Sequence, residues 1–233
     1  YLKNVLYNDA NNFNLESTIH MLRVVTSQEA SREYDKFHTL KETIPDAVAV
    51  VNPKIASANY PFDTLAGVGV AFKLVYAHSG LNPEIFDRYV DVAAIGTIAD
   101  MVPLNGENRY IASKGIKALR NTCNKGLNAL MAVSGIKKEE VSSSDISFSI
   151  APRLNAAGRI SHASRSVELL LEKDDSLAMK NAIDLDTCNK ERQQEEQLIF
   201  TEAMDIIEKN GLKKNDFIIV AKEGWAHGII GIV

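Results

Sequence analysis

Asp100 closes the almost uncharged run Asp91-Val-Ala-Ala-Ile-Gly-Thr-Ile-Ala-Asp100, and Met101-Val-Pro103-Leu104 follows it. A carboxylate at the end of so apolar a segment asks for a cation, several hydrogen-bond donors or a helix N-terminus, because an ionised group out of water is costly when unpaired. Asp100 is thus a candidate metal ligand or partner of a base; the plain alternative is a capping Asp that opens the next helix. Further along, Ser149-Ile-Ala-Pro-Arg153-Leu-Asn155-Ala-Ala-Gly158-Arg159-Ile160-Ser161-His162 sets two arginines and an asparagine among small residues. Small residues let a backbone come close to a ligand, and guanidinium forks match phosphate oxygens in a planar, bidentate way. The run reads as an anion site, against the alternative of a tight turn whose arginines pair with neighbouring acids.

Several elements must position these groups. Residues 47–51 read as a short buried strand closed by Asn52-Pro53, and 65–78 as a helix in which Gly67 and Gly69 permit close packing. Asn82-Pro83 opens a helix that runs through Phe86 and Val90 into the Asp100 segment, and 108–120 makes the next one. Residues 176–210 read as one continuous helix. Leu177, Ala182, Leu185 and Cys188 form its first apolar face, and Leu198, Ile199, Ala203, Ile206 and Ile207 form the second. Between them, 189–197 is polar all round, which suits a helix bridging two domains through solvent. Gly211 stops it, and 216–221 reads as the first strand of a new domain. The fold class is α/β: a sheet-containing part, helices, a long bridging helix and the start of a second α/β part.

The chain has 233 residues and is 45% hydrophobic, enough for one good core or a core and part of another. Its formal net charge is −4, so any contact with nucleic acid must come from a local groove and not from a global basic field. Lys114, Lys117 and Arg120 recur at roughly helical spacing and are a second, weaker basic candidate, which an ordinary solvated helix surface explains about as well. Two cysteines, Cys123 and Cys188, make no disulfide framework, and no apolar run reaches membrane-spanning length, so the cytoplasm is the expected location. Opening on Tyr1 and stopping on Val233 within an apolar run, the sequence reads as a fragment.

Two segments, Ala-Ile-Gly-Thr-Ile-Ala-Asp-Met-Val-Pro-Leu-Asn-Gly-Glu-Asn-Arg (94–109) and Ala-Pro-Arg-Leu-Asn-Ala-Ala-Gly-Arg-Ile (151–160), closely resemble the RecJ-type single-stranded-DNA-specific exonucleases of the DHH phosphoesterase superfamily. Val51-Asn-Pro-Lys54, residues 60–73, Asn189-Lys-Glu-Arg-Gln193 and 224–233 match the same family in register. The resemblance implies the C-terminal part of a parallel-sheet DHH domain over 1–175, a bridging helix over 176–210 and the opening of a DHHA1-type domain over 211–233. It also implies 5′→3′ hydrolysis of single-stranded DNA by metal-activated water, with two divalent ions, manganese or magnesium. Asp100 inherits the role of catalytic metal ligand, and Arg153, Asn155 and Arg159 would hold the phosphate backbone or the strand's 5′ end. Gln193 would face the DNA from the bridging helix, and His227 would lie in a strand-to-helix turn able to bind phosphate.

One departure from the family's pattern concerns the N-terminus. The family's Asp-His-His motif belongs just ahead of Thr39-Leu-Lys-Glu42, where His38 takes the second histidine while Phe37 and Lys36 stand at the other two places. His38 is therefore a candidate metal ligand, and residues 1–38 read as degenerate or as a junction. Truncation explains this better than a catalytically dead scaffold or DNA-binding relative, since the downstream motifs are intact. A phosphodiesterase acting on short oligonucleotides or cyclic dinucleotides is the other alternative. Expected partners are single-stranded DNA, then a single-strand-binding protein or repair helicase, with no membrane and a monomeric state.

Overall fold

Asn82 and Pro83 start a helix for a local reason. The Asn82 side chain accepts from the Glu84 amide at 3.0 Å, and Pro83 occupies a first-turn position where no amide is needed. The structure, a computed structural model, describes residues 51–54, 60–160 and 163–233, with Ile160 described by its backbone alone. His38 and all of the expected 47–51 strand except Val51 lie outside these residues. The chain divides into two compact units, Tyr1–Ala118 and Leu119–Val233.

In the first unit, α1 spans Gly67–His78, α2 Pro83–Ala99 and α3 begins at Gly106 and ends at Leu119. From Val90 onward α2 buries nearly every position, including Ala93, Ala94, Ile95, Thr97 and Ile98, which is why its sequence is apolar without a polar stripe. The one buried hydroxyl there is satisfied within the helix, since Thr97 Oγ1 donates to the Ala93 carbonyl at 2.7 Å. Leu65, Val70, Phe72, Val90, Ala93, Ala94 and Ile111 form the core. Phe86 sits against Phe72, Tyr76 and Tyr110 with ring centroids 5.1, 5.7 and 5.9 Å away.

Helix α3 presses directly onto α2 at Gly115. A Cβ there would meet Ala94 Cβ at 2.1 Å and the Val90 carbonyl oxygen at 2.4 Å, and backbone cannot swing aside. Gly115→Ala should therefore destabilise the chain by about 2 kcal/mol, the overpacking penalty outweighing the ~1 kcal/mol of helix propensity gained. Urea unfolding checks this; a midpoint equal to or above that of the parent would mean that the two helices are not in this contact.

The second unit is built on a 35-residue helix, α7, over Asp175–Lys209, within which the expected bridging helix falls almost entirely. Its N-cap Asp174 accepts from the Ser176 and Leu177 amides, both at 2.9 Å. Against it pack α4 (Lys125–Val133), α5 (Ala151–Ile160) and α6 (Ser164–Leu171). A capping box between Ser142 and Asp145 opens a single turn that runs through a π-helical stretch, Ile146–Ile150, into α5. Of the expected apolar faces of α7, Ala182, Leu185, Cys188 and Ile199 are buried as expected, joined by Ala178, whereas Leu177 and Leu198 face solvent.

Two further expectations concern strands. The described residues contain helices and turns and no strand, so the parallel sheet of the expected α/β class is not among them. Residues 216–221, expected as a strand, run through bends and irregular backbone without a ladder, and Phe217 and Ile219 are 88% and 90% exposed. β-propensity expresses itself only when a neighbouring edge is there to pair with.

Candidate active site

Asp100 occupies the position after the last residue of α2, with its amide bonded to the Gly96 carbonyl at 3.0 Å. It is exposed and opens no helix, because α3 starts only at Gly106; the capping alternative is corrected by this placement. The negative end of a helix is an unfavourable place for a carboxylate, by about 0.3–1 kcal/mol. Met101 then takes a left-handed backbone, φ +57°, which a residue with a Cβ adopts at a cost of about 1–2 kcal/mol. Two local penalties thus stand side by side at the C-terminal end of α2. Among the described residues, no three His, Cys, Asp or Glu side chains gather as a metal shell.

The loop after Asp100 ends at Gly106, whose φ is +44° and whose missing Cβ leaves room for the Phe62 ring, 2.6 Å from where that carbon would be. Next to it, Glu107 anchors the start of α3 to the 60–64 segment. Its carboxylate accepts from the Tyr60 hydroxyl at 2.7 Å and pairs with Lys73 of α1, which also donates to the Tyr60 oxygen and lies over the Tyr60 ring. Burial pushes the Glu107 carboxyl up, but the hydrogen bonds from Lys73 and Tyr60 outweigh it and hold the group below the usual range. Burial works likewise against the Lys73 ammonium, which Glu107 and Tyr60 nevertheless keep raised. This trio was visible in the sequence only as members of matching segments; no spacing rule joins residues so far apart.

In the second unit, the Pro-Arg-Leu-Asn-Ala-Ala-Gly-Arg run is helix α5 and not a turn. Helical spacing separates its polar residues: Asn155 and Arg159, four apart, lie exposed, while Ala156 and Ala157 are buried. Arg153 points inward, with Nε donating to Asp186 Oδ1 of α7 at 2.8 Å and Nη1 to the Ser149 carbonyl at 2.8 Å. The acid-pairing alternative thus describes Arg153, whereas Arg159 keeps its place on the exposed face. Arg159 Nη1 donates to the Gly228 carbonyl at 2.9 Å, which brings the exposed His227 turn beside it. Among the described residues, 227–231 are turns and not regular helix.

Gln193 is exposed on α7, as a solvent-bridging segment requires. Its neighbours Asn189 and Arg192 turn inward, Arg192 Nε donating to Asn189 Oδ1 at 3.2 Å and Nη1 to Glu196 Oε2 at 2.5 Å, so the segment is not polar all round to solvent. Lys114 and Lys117 of the weaker basic stripe are exposed, with Lys114 lying over the Tyr110 ring, 5.6 Å from its centroid.

Comparison with known proteins places the chain in a family. No family profile matches the chain. The single-stranded-DNA-specific exonuclease RecJ of Bacillus subtilis (strain 168) is 46% identical over 190 residues, covering 82% of this chain and 24% of that protein. The chain therefore spans about a quarter of that relative's length. A crystal structure of RecJ from Thermus thermophilus in complex with Mg2+ aligns with a TM-score of 0.66 at 29% identity, over 78% of this chain and 28% of that one. A second, of exonuclease RecJ bound to manganese, gives a TM-score of 0.69 at 26% identity over 94% of this chain and 60% of that one. With sequence and backbone agreeing over most of its residues, this chain belongs to the RecJ family.

Proposed function

We propose that this chain is the part of a 5′→3′ single-stranded-DNA exonuclease that supplies one metal-binding carboxylate and a phosphate-binding helix face. The observation that carries the reading is Asp100, exposed at the negative end of a buried helix and followed by a left-handed Met101. The divalent ions, manganese or magnesium as in the solved RecJ structures, supply Lewis acidity and a water activated at neutral pH. Asp100 is the ligand this chain contributes, and His38, outside the described residues, is a second candidate by its register against the family's Asp-His-His motif. Asn155 and Arg159 on the exposed face of α5, with Gln193 and His227, bind the strand's backbone. Arg153 acts at one remove, by fixing α5 to α7.

In this reading 1–175 belongs to the DHH domain, 176–210 is the bridging helix and 211–233 begins a DHHA1-type domain. The full-length protein acts as a monomer in the cytoplasm, on DNA under repair or recombination, with a single-strand-binding protein or helicase alongside. No described helix is long and apolar enough to cross a membrane. Incubated with Mn2+, the full-length protein should release mononucleotides from the 5′ end of a single strand and leave a duplex intact. Equal or better turnover of dinucleotides or cyclic dinucleotides would favour the small-substrate phosphodiesterase.

Binding gives a second test. Removing one phosphate-binding cation lowers the slope of log affinity against log salt by about one. Arg159→Gln should show that reduction at unchanged thermal stability, measured by fluorescence anisotropy with labelled single strands. A slope equal to the parent's would move the anion site off α5.

A further inference from the structure

Asn108, in the first turn of α3, is completely buried. An apolar side chain of the same size would fill that space without leaving a polar atom dry, so the amide must answer to something local. Its Nδ2 donates to the Thr64 carbonyl at 2.7 Å and to the Pro103 carbonyl at 3.1 Å. The orientation of the amide follows from chemistry, because both neighbours can only accept and the NH2 end must face them. Its Oδ1 is left buried with no hydrogen-bond partner among the described residues. A core that keeps one unmet acceptor for the sake of two donated bonds is using those bonds.

What they hold is the loop behind Asp100. At one end the Asp100 and Met101 amides donate hydrogen bonds to the Gly96 and Ile98 carbonyls of α2, and at the other the Arg109 amide donates to the Asn105 carbonyl at 3.0 Å. Asn108 grips the loop between these ends at Pro103, and ties it to the 60–64 segment at Thr64. Glu107, one residue earlier, ties the same helix turn to Tyr60 and Lys73.

We propose that Asn108 is a positioning residue for Asp100: its side-chain amide, bonded to Thr64 and Pro103, sets the loop that presents the carboxylate to a divalent cation. The proposal rests on Asp100 being a metal ligand and adds the group that fixes its geometry. Groups that support a ligand in this way contribute about ten- to a hundredfold in metal affinity or activity.

The test is calorimetric titration of Mn2+ into the metal-stripped full-length protein. Asn108→Leu keeps the volume and removes both donors, and should weaken Mn2+ binding about tenfold or more. Leu104→Gly, at an exposed loop position, loosens the same backbone without entering the core and should weaken it in the same direction by less. In both variants kcat should fall at limiting Mn2+ and recover at saturating Mn2+, with KM for single-stranded DNA unchanged, a recovery that general destabilisation does not produce. Amide exchange over 101–105 should quicken in both. Should Asn108→Leu fail to fold, Leu104→Gly and slow exchange of the Asn108 side-chain NH2 in the parent protein decide the matter. Mn2+ affinity equal to the parent's in a folded variant, or fast exchange of that NH2, overturns the proposal. If Asp100→Asn itself binds Mn2+ as the parent does, it is the assignment of Asp100 that fails; if Asp100→Asn loses the ion while both other variants keep it, only the role of Asn108 fails.

Discussion

Asp100→Asn in the full-length protein is expected to lower single-stranded-DNA hydrolysis by about a thousandfold while leaving the fold as stable as before or slightly more so. The loss follows from removing a charged ligand: several kcal/mol of transition-state stabilisation depends on the metal, and each 1.36 kcal/mol is about tenfold in rate. The stability expectation follows from position. Asp100 stands at the C-terminal end of α2, where the unpaired carbonyls make a negative charge unfavourable, so a neutral amide relieves up to about 1 kcal/mol of repulsion. At a helix N-terminus the sign would reverse, because Asn still caps but the favourable negative charge is lost. Nuclease assays with Mn2+ and thermal melts with and without the ion measure both effects. Activity and metal-induced stabilisation equal to the parent's would remove Asp100 from the metal site.

Asp186→Ala should destabilise the second unit by about 3–5 kcal/mol, because it strands the buried Arg153 guanidinium without its counter-charge. The pair joins α5 to α7 at 2.8 Å, with the Arg153 and Asp186 side chains 17% and 9% exposed. Lys190, at 2.7 Å on the solvent side and 67% exposed, contributes little by itself. Burial raises the Asp186 carboxyl, yet the hydrogen bonds from Lys190 and Arg153 prevail and hold it below its ordinary value. A carboxyl depressed in the folded state adds stability that is complete above its unfolded pKa of about 3.9 and is lost as pH falls through the folded value. The parent should therefore lose this increment only below about pH 4, whereas Asp186→Ala lacks it at neutral pH. Replacing both partners, Arg153→Met with Asp186→Leu, should recover most of the loss, since a packed apolar pair needs no counter-charge. Urea unfolding at pH 7 and at pH 3 would show it. A single variant as stable as the parent at pH 7 would mean that the pair is not closed in solution. Because α5 also carries Asn155 and Arg159, DNA binding by the single variant should weaken with the fold and return in the double one.

How legible the site was depended on range. The Asp100 segment announced itself, because a lone carboxylate ending an apolar run is conspicuous in one dimension, and the Asn82-Pro83 start of its helix is a local signal. Its exposure at the end of α2 was not legible, since the same letters suit a cap that begins a helix. In the Pro-Arg-Leu-Asn-Ala-Ala-Gly-Arg run the polar residues could be counted, but their division could not: the helix turns Arg153 toward Asp186 and leaves Asn155 and Arg159 outside. Gln193 stood out beside Asn189 and Arg192 only as one polar residue among many.

The sequence by itself determined the family, through long motifs in register, and the existence of helices whose caps and apolar periodicity are local, above all the 35-residue α7. Short-range chemistry settles such features, as a cap or a helical stripe involves residues within a few positions of each other. Only the tertiary structure decided which polar groups are spent on holding the fold. Glu107 on Tyr60 and Lys73, Asn108 on Thr64, and Arg153 on Asp186 are pairings across tens of residues, and each replaces an expected or unassigned surface role with a buried or half-buried one. The physical reason is that burial removes water as a partner, so a side chain's role is set by whichever group the fold brings within hydrogen-bond reach, and nothing in the linear order of residues records that distance.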